Sequence, residues 1–332
     1  MATLATTNPT LADVAKRLDP SGNIDKIVEI LNETNEVLDD MTFVEGNLPT
    51  GHRTTVRTGI PTPTWRKLYG GVQPTKSETA QVTDNCGMLE AYAEVDKALA
   101  HLNGNTSSFR MSEDAAHIEG LSQEVSDSLF YADENTEPEA FTGLAPRFNA
   151  TSAANGDNII AGGGSGSDNT SIWLVVWGPN TIHGIYPKGS VAGLQMSDKG
   201  QVTIEDVDGS GGRMEAYRTH YRWDCGLSVR DWRYIVRIAN IDVSNLAANK
   251  GGSSADLTDL MVQALELIPS LGKGRPVFYV NRTVRSMLRR QIGNTTNVNL
   301  TLENFAGKQA VAFDGVPVRR CDSLTLTEAT IS

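Results

Sequence analysis

The chain has 332 residues, of which 39% are hydrophobic, 6% aromatic and 21% charged, and its formal net charge is −11. These values are typical of a globular protein and exclude wholesale disorder, and no apolar run approaches the roughly 18 residues of a membrane helix. The three cysteines, Cys86, Cys225 and Cys321, are too few and too far apart to predict a disulfide framework or a zinc site.

The charge is distributed unevenly along the chain. Residues 84–139 contain thirteen acidic and two basic residues, a net charge of −11 in about one sixth of the sequence. Residues 46–77 contain five basic residues and no acidic one. Such a separation predicts either a face that repels an anion or an arm that meets an acidic neighbour.

The N-terminal part predicts helix and then an extended segment. Residues 1–20 form a short helix at most, whereas apolar residues recur at helical spacing over 24–41. Residues 46–87 are rich in Pro, Gly and Thr, which argues against a central strand, and we interpret them as a long two-stranded excursion. Because an isolated hairpin is only marginally stable in water, we expect it to lie on another subunit.

The next segments predict two helices, at 88–103 and 107–131. The acidic residues of the longer helix fall mainly outside one apolar stripe, which consists of Met111, Ala115, Ile118, Leu121, Val125 and Leu129. A loop follows at 143–168 and ends in a glycine-rich run at 162–167.

The second half predicts mainly strands, with two helices near the end. Helices are predicted at 254–268 and at 281–292, the second capped by Asn281. One long alternating run, with a bulge near Trp232, covers 214–241. The shorter strands are predicted at 172–177, 182–186, 201–207, 276–280, around Leu300 and at 310–325, and Asp208-Gly209 has the composition of a hairpin turn. This mixture predicts an α+β fold.

The sequence contains no convincing catalytic, cofactor-binding or metal site. The glycine-rich run 162–167 lacks the Lys-Ser/Thr ending of a P-loop and precedes a strand, so we interpret it as a surface loop. The Gly209-Ser210-Gly211-Gly212 stretch lacks the nucleophile-elbow pattern, and neither an EF-hand near Asp206 nor a histidine metal site has the required spacing. We therefore keep a cytosolic enzyme that uses the glycine-rich loop only as an alternative function, with little support in the sequence.

A second alternative is a nucleic-acid-binding protein. Arg282, Arg285, Arg289 and Arg290 fall on one side of the 281–292 helix, where they could meet nucleic acid, an acidic partner subunit or only solvent. The acidity of the whole chain argues against nucleic acid.

Three stretches of the sequence are specific as a set: NLPTGHRTTVR at 47–57, WGPNTIHGIYP at 177–187 and WDCGLSVRDWR at 223–233. They resemble stretches of the major capsid proteins of tailed bacteriophages, which have the HK97-like fold. They are similar to those of short-tailed phages such as epsilon15 and the Bordetella phage group. The order of N-terminal arm, extended loop, long acidic helix and late α/β segment fits the same family.

The resemblance implies a division of the chain into arms and domains. The long helix would be the spine of a peripheral domain, and the extended loop would lie across a neighbouring subunit. The implied bounds are 1–41 for the N-terminal arm, 42–87 for the extended loop, 88–150 and 214–245 for the peripheral domain, and 151–213 and 246–332 for the axial domain and insertions.

The resemblance also implies function and partners. The chain would be a virion protein and not an enzyme, without cofactors, assembled in the host bacterial cytoplasm into hexamers and pentamers of an icosahedral head. It would enclose double-stranded DNA without sequence-specific contacts, would not contact a membrane, and would have a portal protein and a cement protein as further partners. Inter-subunit contacts are expected from Arg53, Arg57, Trp65, Arg66, Arg282, Arg285 and Arg289.

Two departures from the family pattern lead to further expectations. Many relatives carry an N-terminal scaffolding segment, but here the spine helix begins near residue 107, so we expect a separate scaffolding protein. The chain also stops soon after the axial segment. We therefore expect residues 214–241 to supply peripheral strands earlier in the sequence and to lie near the spine helix.

Overall fold

The computed structural model describes residue 9 and residues 33–102, 106–205, 211–247, 255–293, 300–305 and 308–332. Within these residues the helices are α1 (Val37–Asp40), α2 (Lys97–Ala100), α3 (Thr106–Tyr131), α4 (Leu144–Arg147), α5 (Leu257–Leu267) and α6 (Arg282–Gly293). The strands are β1 (Phe43–Glu45), β2 (Gly51–Gly59), β3 (Glu78–Asp96), β4 (Ile159–Ala161), β5 (Asn169–Trp177), β6 (Ile182–Tyr186), β7 (Gln195–Glu205), β8 (Arg213–Val229), β9 (Ile235–Asp242), β10 (Arg275–Val280), β11 (Leu300–Phe305), β12 (Lys308–Phe313) and β13 (Val316–Arg320).

Strand β5 lies at the centre of the structure because both faces of the sheet are covered there. All nine of its residues are buried, and antiparallel strands β9 and β10 pair with its two edges. Leu174 faces a core that includes α5 and α6, whereas Trp173 faces a core that includes the end of α3. A continuous apolar run suits a strand that is buried on both faces, and the predicted strand at 172–177 is confirmed.

The long helix α3 confirms the helix predicted at 107–131. None of the described helices is long and apolar enough to cross a membrane. The predicted stripe is correct only in its second half, because Met111 and Ile118 are exposed by 72% and 40%. The first half of α3 instead buries Phe109, which lies about 200° around the helix from Met111.

The helix predicted at 88–103 is wrong. Strand β3 continues to Asp96, and only Lys97–Ala100 is helical. Strand β3 pairs with β8 from Cys86↔Gly226 to Asp96↔Ala216, so the ladder satisfies its backbone. Alternate side chains from Leu89 to Val95 face α3, which is the period of two that a strand requires. The apolar residues of this segment also fit helical spacing, so the sequence pattern alone does not distinguish helix from strand.

The described part of the helix predicted at 24–41 is helical only over Val37–Asp40; residues 24–32 lie outside the described residues. Asn35 forms an isolated bridge with Cys321, and its side-chain oxygen accepts hydrogen bonds from the backbone N–H groups of Asp322 and Ser323. These contacts hold the segment in extended form against the C-terminal part of the chain. The predicted helix within 1–20 also lies outside the described residues, residue 9 excepted.

The run predicted at 214–241 is two strands and not one bulged strand. A turn of 3₁₀ helix at Trp232–Tyr234 separates β8 from β9, and the Asp231 side chain accepts a hydrogen bond from the Arg233 N–H at its start. Strand β8 pairs with β3, β6 and β7, whereas β9 pairs with β4 and β5. Strand β7 also begins earlier than predicted, and the turn at Asp208-Gly209 lies outside the described residues.

The two late helices and the cap predicted at Asn281 are confirmed, and the structure adds a cap at Asp256. The side-chain Oδ1 atoms of Asp256 and Asn281 accept hydrogen bonds from the N–H groups of Asp259 (3.2 Å) and Thr283 (3.0 Å). Strand β10 confirms the strand predicted at 276–280, and β11, β12 and β13 form the predicted C-terminal strands.

Candidate subunit interface

Strands β2 and β3 form a long hairpin that confirms the predicted two-stranded excursion. The ladder runs from Gly51↔Asn85 at the base to Gly59↔Glu78 at the far end. The base is tight, because a Cβ atom on Gly51 would lie 2.1 Å from the carbonyl oxygen of Asp84. This close approach explains the requirement for glycine at position 51.

The tip of the hairpin, residues 60–77, has no helix or strand and is almost wholly exposed. Its large apolar side chains are fully exposed to solvent. The exposed fraction, relative to an extended reference, is 101% for Trp65, 88% for Leu68 and 103% for Tyr69. The tip also carries Arg66 and two lysines and no acidic residue. A cluster of exposed aromatic and apolar side chains with one sign of charge is typical of a binding surface.

Three of the predicted contact arginines, Arg53, Arg57 and Arg66, lie on this hairpin and are exposed. Arg53 Nε donates a hydrogen bond to Thr83 Oγ1 at 3.2 Å, and Arg57 lies opposite Thr79 in the ladder. Among the described residues, none of the three arginines forms an ion pair with a carboxylate. Their positive charges are therefore available to a partner.

The arginines of α6 form a separate group. Arg282 is ion-paired with Asp322 at 2.8 Å, and Arg289 is exposed. Burial lowers the pKa of Arg285, although the nearby carboxylate of Glu36 favours its charged form. Two arginines in the first turn of α6, Arg282 and Arg285, therefore lie near acidic residues of the same chain, Asp322 and Glu36. The structure does not bring this helix together with the hairpin arginines.

A buried cluster of histidines and charged groups holds the base of the hairpin. Arg230 Nη2 lies 2.8 Å from Nε2 of the buried His52, and the ring of His183 packs edge-on against His52 at 5.8 Å. Beside them, Arg147 Nη1 donates to the buried Asp84 carboxylate at 2.9 Å. Burial, followed by the positive charge of Arg230, lowers the pKa of His183 to about 4 and also lowers the pKa of His52.

We expect this cluster to make the fold less stable in acid. Between the pKa of an unfolded histidine, about 6.5, and the value of about 4 in the fold, the unfolded chain binds more protons at position 183, so stability falls as the pH falls. The full shift corresponds to on the order of 3 kcal/mol. The difference in unfolding free energy between about pH 7 and about pH 4.5, measured with urea, should therefore be smaller in His183→Gln. Equal pH dependence in both proteins would contradict this assignment.

A groove that the sequence did not predict lies between α3 and the middle of β3. Two adjoining cavities, of about 390 and 360 Å³, share Leu89 and Glu124. Leu89, Val125 and Phe141 provide apolar lining, and the carboxylates at its rim are Glu124, Glu137 and Glu139. The groove combines an apolar floor with concentrated negative charge. A helix at 88–103 does not predict this groove, because one of its walls depends on β3 being a strand.

The described residues give no support to a phosphate-binding glycine-rich loop or to a metal site. The amides of Gly162 and Gly164 donate to the carbonyl groups of Ala239 and Asn240, so the glycine-rich run lies along β9 and does not present these amides to a phosphate. Among the described residues, no group of three or more His, Cys, Asp or Glu side chains could hold a metal ion. Asp206 lies outside the described residues.

Comparison with known proteins shows what the chain is similar to. A family model described as major capsid protein GP7 matches residues 19–332. A cryo-electron microscopy structure of bacteriophage epsilon15 is 40% identical in sequence with a TM-score of 0.78, over 100% of this chain and 99% of that chain. A capsid structure of bacteriophage JBD30 is 10% identical with a TM-score of 0.46, over 89% of this chain and 92% of that chain. No curated protein matches the chain.

Proposed function

The chain belongs to the major capsid protein GP7 family, and from this premise we propose that its copies assemble into hexamers and pentamers of an icosahedral head that encloses double-stranded DNA. It is a structural, non-enzymatic subunit of a bacteriophage capsid, with the HK97-like fold and a place in the virion. The enzyme and nucleic-acid-binding alternatives are not supported. The observation that carries the proposal is the exposed hairpin, whose basic and aromatic tip has no partner among the described residues.

The hairpin supports assembly on energetic grounds. Burying Trp65 and its apolar neighbours on another subunit removes apolar surface from water, at roughly 25 cal/mol per Å². The free energy of each contact is modest, but a closed shell repeats the contact in every subunit. Arg53, Arg57, Trp65 and Arg66 are the proposed contact residues of the hairpin. On α6 we propose the same role for Arg282, Arg285 and Arg289, of which Arg289 is exposed and Arg282 is already paired with Asp322.

We propose the same domain division that the family resemblance implies, with α3 as the spine of the peripheral domain. The contacts of β8 support it: Leu121 of α3 packs with Tyr221, and Arg110 Nη2 donates to Thr219 Oγ1 at 3.3 Å. Residues 214–229 thus lie against α3 and can supply peripheral strands early in the sequence. The sheet itself continues across the proposed boundary, through the pairing of β6 with β8 from Ile182↔Val229 to Ile185↔Gly226.

The charge distribution supports the proposed partners. A net charge of −11 over residues 84–139 would keep a wall built from this segment from adhering to packaged DNA, which agrees with DNA enclosed without sequence-specific contacts. We propose a separate scaffolding protein, a portal protein and a cement protein as further partners, with assembly in the host bacterial cytoplasm.

The proposal is tested by expressing the chain and examining it by size-exclusion chromatography and electron microscopy. We expect megadalton shells or tubes, formed alone or with the scaffolding protein, whereas an enzyme or small binding protein would elute as a small species. Arg57→Glu should lower the particle yield at least ~tenfold, because a reversed charge opposes the acidic partner in every contact. Arg57→Lys keeps the charge and is the matched control. Normal particle yield from a folded Arg57→Glu subunit would count against the proposal.

A further inference from the structure

Strand β7 forms an open edge of the sheet. Among the residues that the structure describes, its only strand partner is β8, with which it pairs from Gln195↔Arg222 to Glu205↔Arg213. Within the same residues, the backbone of 196–205 makes no hydrogen bond to any backbone outside β7 and β8. The second edge of β7 therefore offers backbone N–H and C=O groups to solvent, and such an edge is a template for a further strand.

The first half of β7 is protected against such pairing, whereas the second half is not. The register with β8 shifts between Asp198 and Gly200, which places a bulge at Lys199, and the Gly200 N–H donates to Asp198 Oδ1 at 2.8 Å. Bulges and lysines are common means by which edge strands avoid association. Residues 201–205 pair with β8 without a shift and contain neither lysine nor proline. This half of the edge is open to a strand from another molecule.

One face of the open half is held within the subunit, and the other face is incompletely buried. Thr203 Oγ1 donates to Glu215 Oε1 of β8 at 2.5 Å. Val202 and Ile204 lie on the opposite face, because side chains alternate along a strand, and both are only partly buried, as is Met214 opposite Ile204. A second strand alongside β7 would extend this apolar face and remove part of it from water.

The sequence of β7 is complementary to itself in antiparallel orientation. Opposite residues of an antiparallel pair lie on the same face, so a symmetric pair of identical strands must be centred on one residue. A pair centred on Val202 places Lys199 of each copy opposite Glu205 of the other. Centring it on Gln201 or Thr203 would instead place Glu205 opposite an uncharged residue. The charges therefore select the register centred on Val202.

The two charges of this register are available to a second copy. The flexible stem of Lys199 allows its ammonium to reach across the bulge, and the side chain is exposed. Glu205 already lies 3.0 Å from Arg213, but both side chains are more than two thirds exposed. An ion pair exposed to this extent contributes little and does not prevent Glu205 from contacting a lysine as well.

A self-complementary edge suits the symmetry of a closed shell. Neighbouring hexamers and pentamers of an icosahedral head meet across exact or local two-fold axes. A contact on a two-fold axis is isologous, because both copies contribute the same residues to it. An antiparallel pair of identical strands has this symmetry, whereas a hairpin that lies across a neighbour makes a contact between two different surfaces.

We propose that β7 pairs with β7 of a second copy, antiparallel and centred on Val202, across the two-fold axis between neighbouring capsomers. The inference rests on the proposed function and adds to it a contact between capsomers that is separate from the exposed hairpin. The pair joins the sheets of two subunits into one continuous sheet, with Lys199 of each copy facing Glu205 of the other.

The first test is disulfide cross-linking in assembled particles of the full chain. In the proposed register the two copies of Val202→Cys have Cα atoms about 5 Å apart, which is within the range of a disulfide. Ser197→Cys is the matched control, because Ser197 is exposed on the same strand. Its two copies would lie ten residues apart along the pair, about 34 Å. Oxidation should give at least ~tenfold more covalent dimer for Val202→Cys than for Ser197→Cys or the unmodified chain.

The second test exchanges the two charges. Lys199→Glu places like charges opposite each other at both ends of the pair, so the particle yield should fall about two- to fivefold. The double variant Lys199→Glu, Glu205→Lys restores opposite charges and should recover most of the yield. If Val202→Cys itself lowers the particle yield, this exchange decides alone. An unchanged yield for Lys199→Glu, or a double variant that assembles no better than Lys199→Glu, overturns the inference.

The outcomes separate this inference from the proposed function. Particles that form normally but give no more Val202→Cys dimer than the Ser197→Cys control overturn the inference and leave the capsid function intact. A disulfide from Val202→Cys to a different protein of the particle, assigned by mass spectrometry of the linked peptides, would give the edge to that protein and overturn the inference as well. Failure of the unmodified chain to form particles, with or without its scaffolding protein, would overturn the proposed function and the inference with it.

Discussion

Replacing Glu328 by glutamine is expected to destabilise the subunit by about 3–5 kcal/mol, because it leaves the buried Arg237 without its counter-charge. Both side chains are only 5% exposed, and Arg237 Nη2 lies 2.8 Å from Glu328 Oε2. Tyr131 donates a hydrogen bond to the other carboxylate oxygen at 2.6 Å, and Ser171 donates to Oε2. The network thus joins the C-terminal segment to β5, β9 and the end of α3.

A surface ion pair provides the matched control. Arg213 and Glu205 lie 3.0 Å apart, but their side chains are 69% and 68% exposed, so Glu205→Gln should cost less than about 1 kcal/mol. Urea unfolding of the unassembled subunits, followed by tryptophan fluorescence, measures both values. The double variant Glu328→Gln, Arg237→Met should recover part of the loss, since it removes the stranded charge as well. Equal losses for Glu328→Gln and Glu205→Gln would contradict this account of the buried network.

Replacing the hairpin tip, residues 60–77, by an Asn-Gly turn is expected to abolish particle formation while the subunit stays folded. A two-residue Asn-Gly loop is compatible with a two-stranded hairpin, so β2 and β3 can still pair. The tip is exposed, and its removal should therefore leave the thermal midpoint within a few degrees of that of the parent chain, on the scale of surface changes. Assembly loses the aromatic and basic side chains in every copy, and we expect at least ~tenfold fewer particles by sedimentation and electron microscopy.

A second variant separates the length of the tip from its side chains. A Gly/Ser loop of the same length keeps the reach of the hairpin but removes Trp65, Arg66 and Tyr69. It should assemble as poorly as the short turn. Normal assembly with the Gly/Ser loop would mean that these side chains do not contribute to the contact, contrary to the proposed role of Trp65 and Arg66.

The sequence predicted well those elements whose pattern is local. The helix predicted at 107–131 has enough turns for its apolar periodicity to be clear, and Asn281 marks a helix start because its side chain accepts a hydrogen bond from the Thr283 N–H. The hairpin was predicted from the prolines and isolated apolar residues of 46–87. The family, and with it the capsid function, followed from stretches of sequence that needed no structure.

The errors occurred where tertiary contacts decide. Residues 88–96 fit helical spacing as well as strand alternation, and pairing with β8 settled the conflict. Met111 and Phe109 lie on opposite sides of α3, and only the position of the sheet determines which one is buried. The break at Trp232 likewise reflects two strands that pair with different partners.

For the groove, too, some properties follow from the sequence alone and others only from the tertiary structure. The amino-acid sequence by itself determined that negative charge is concentrated in 84–139 and that an aromatic, basic segment lies in 46–77, because composition and order are properties of the chain alone. Only the tertiary structure placed Leu89 and Glu124 on the walls of one groove and left the large side chains of the tip exposed. The physical reason is that a ladder of paired strands is stiff and directional, so it fixes which distant residues of one chain meet.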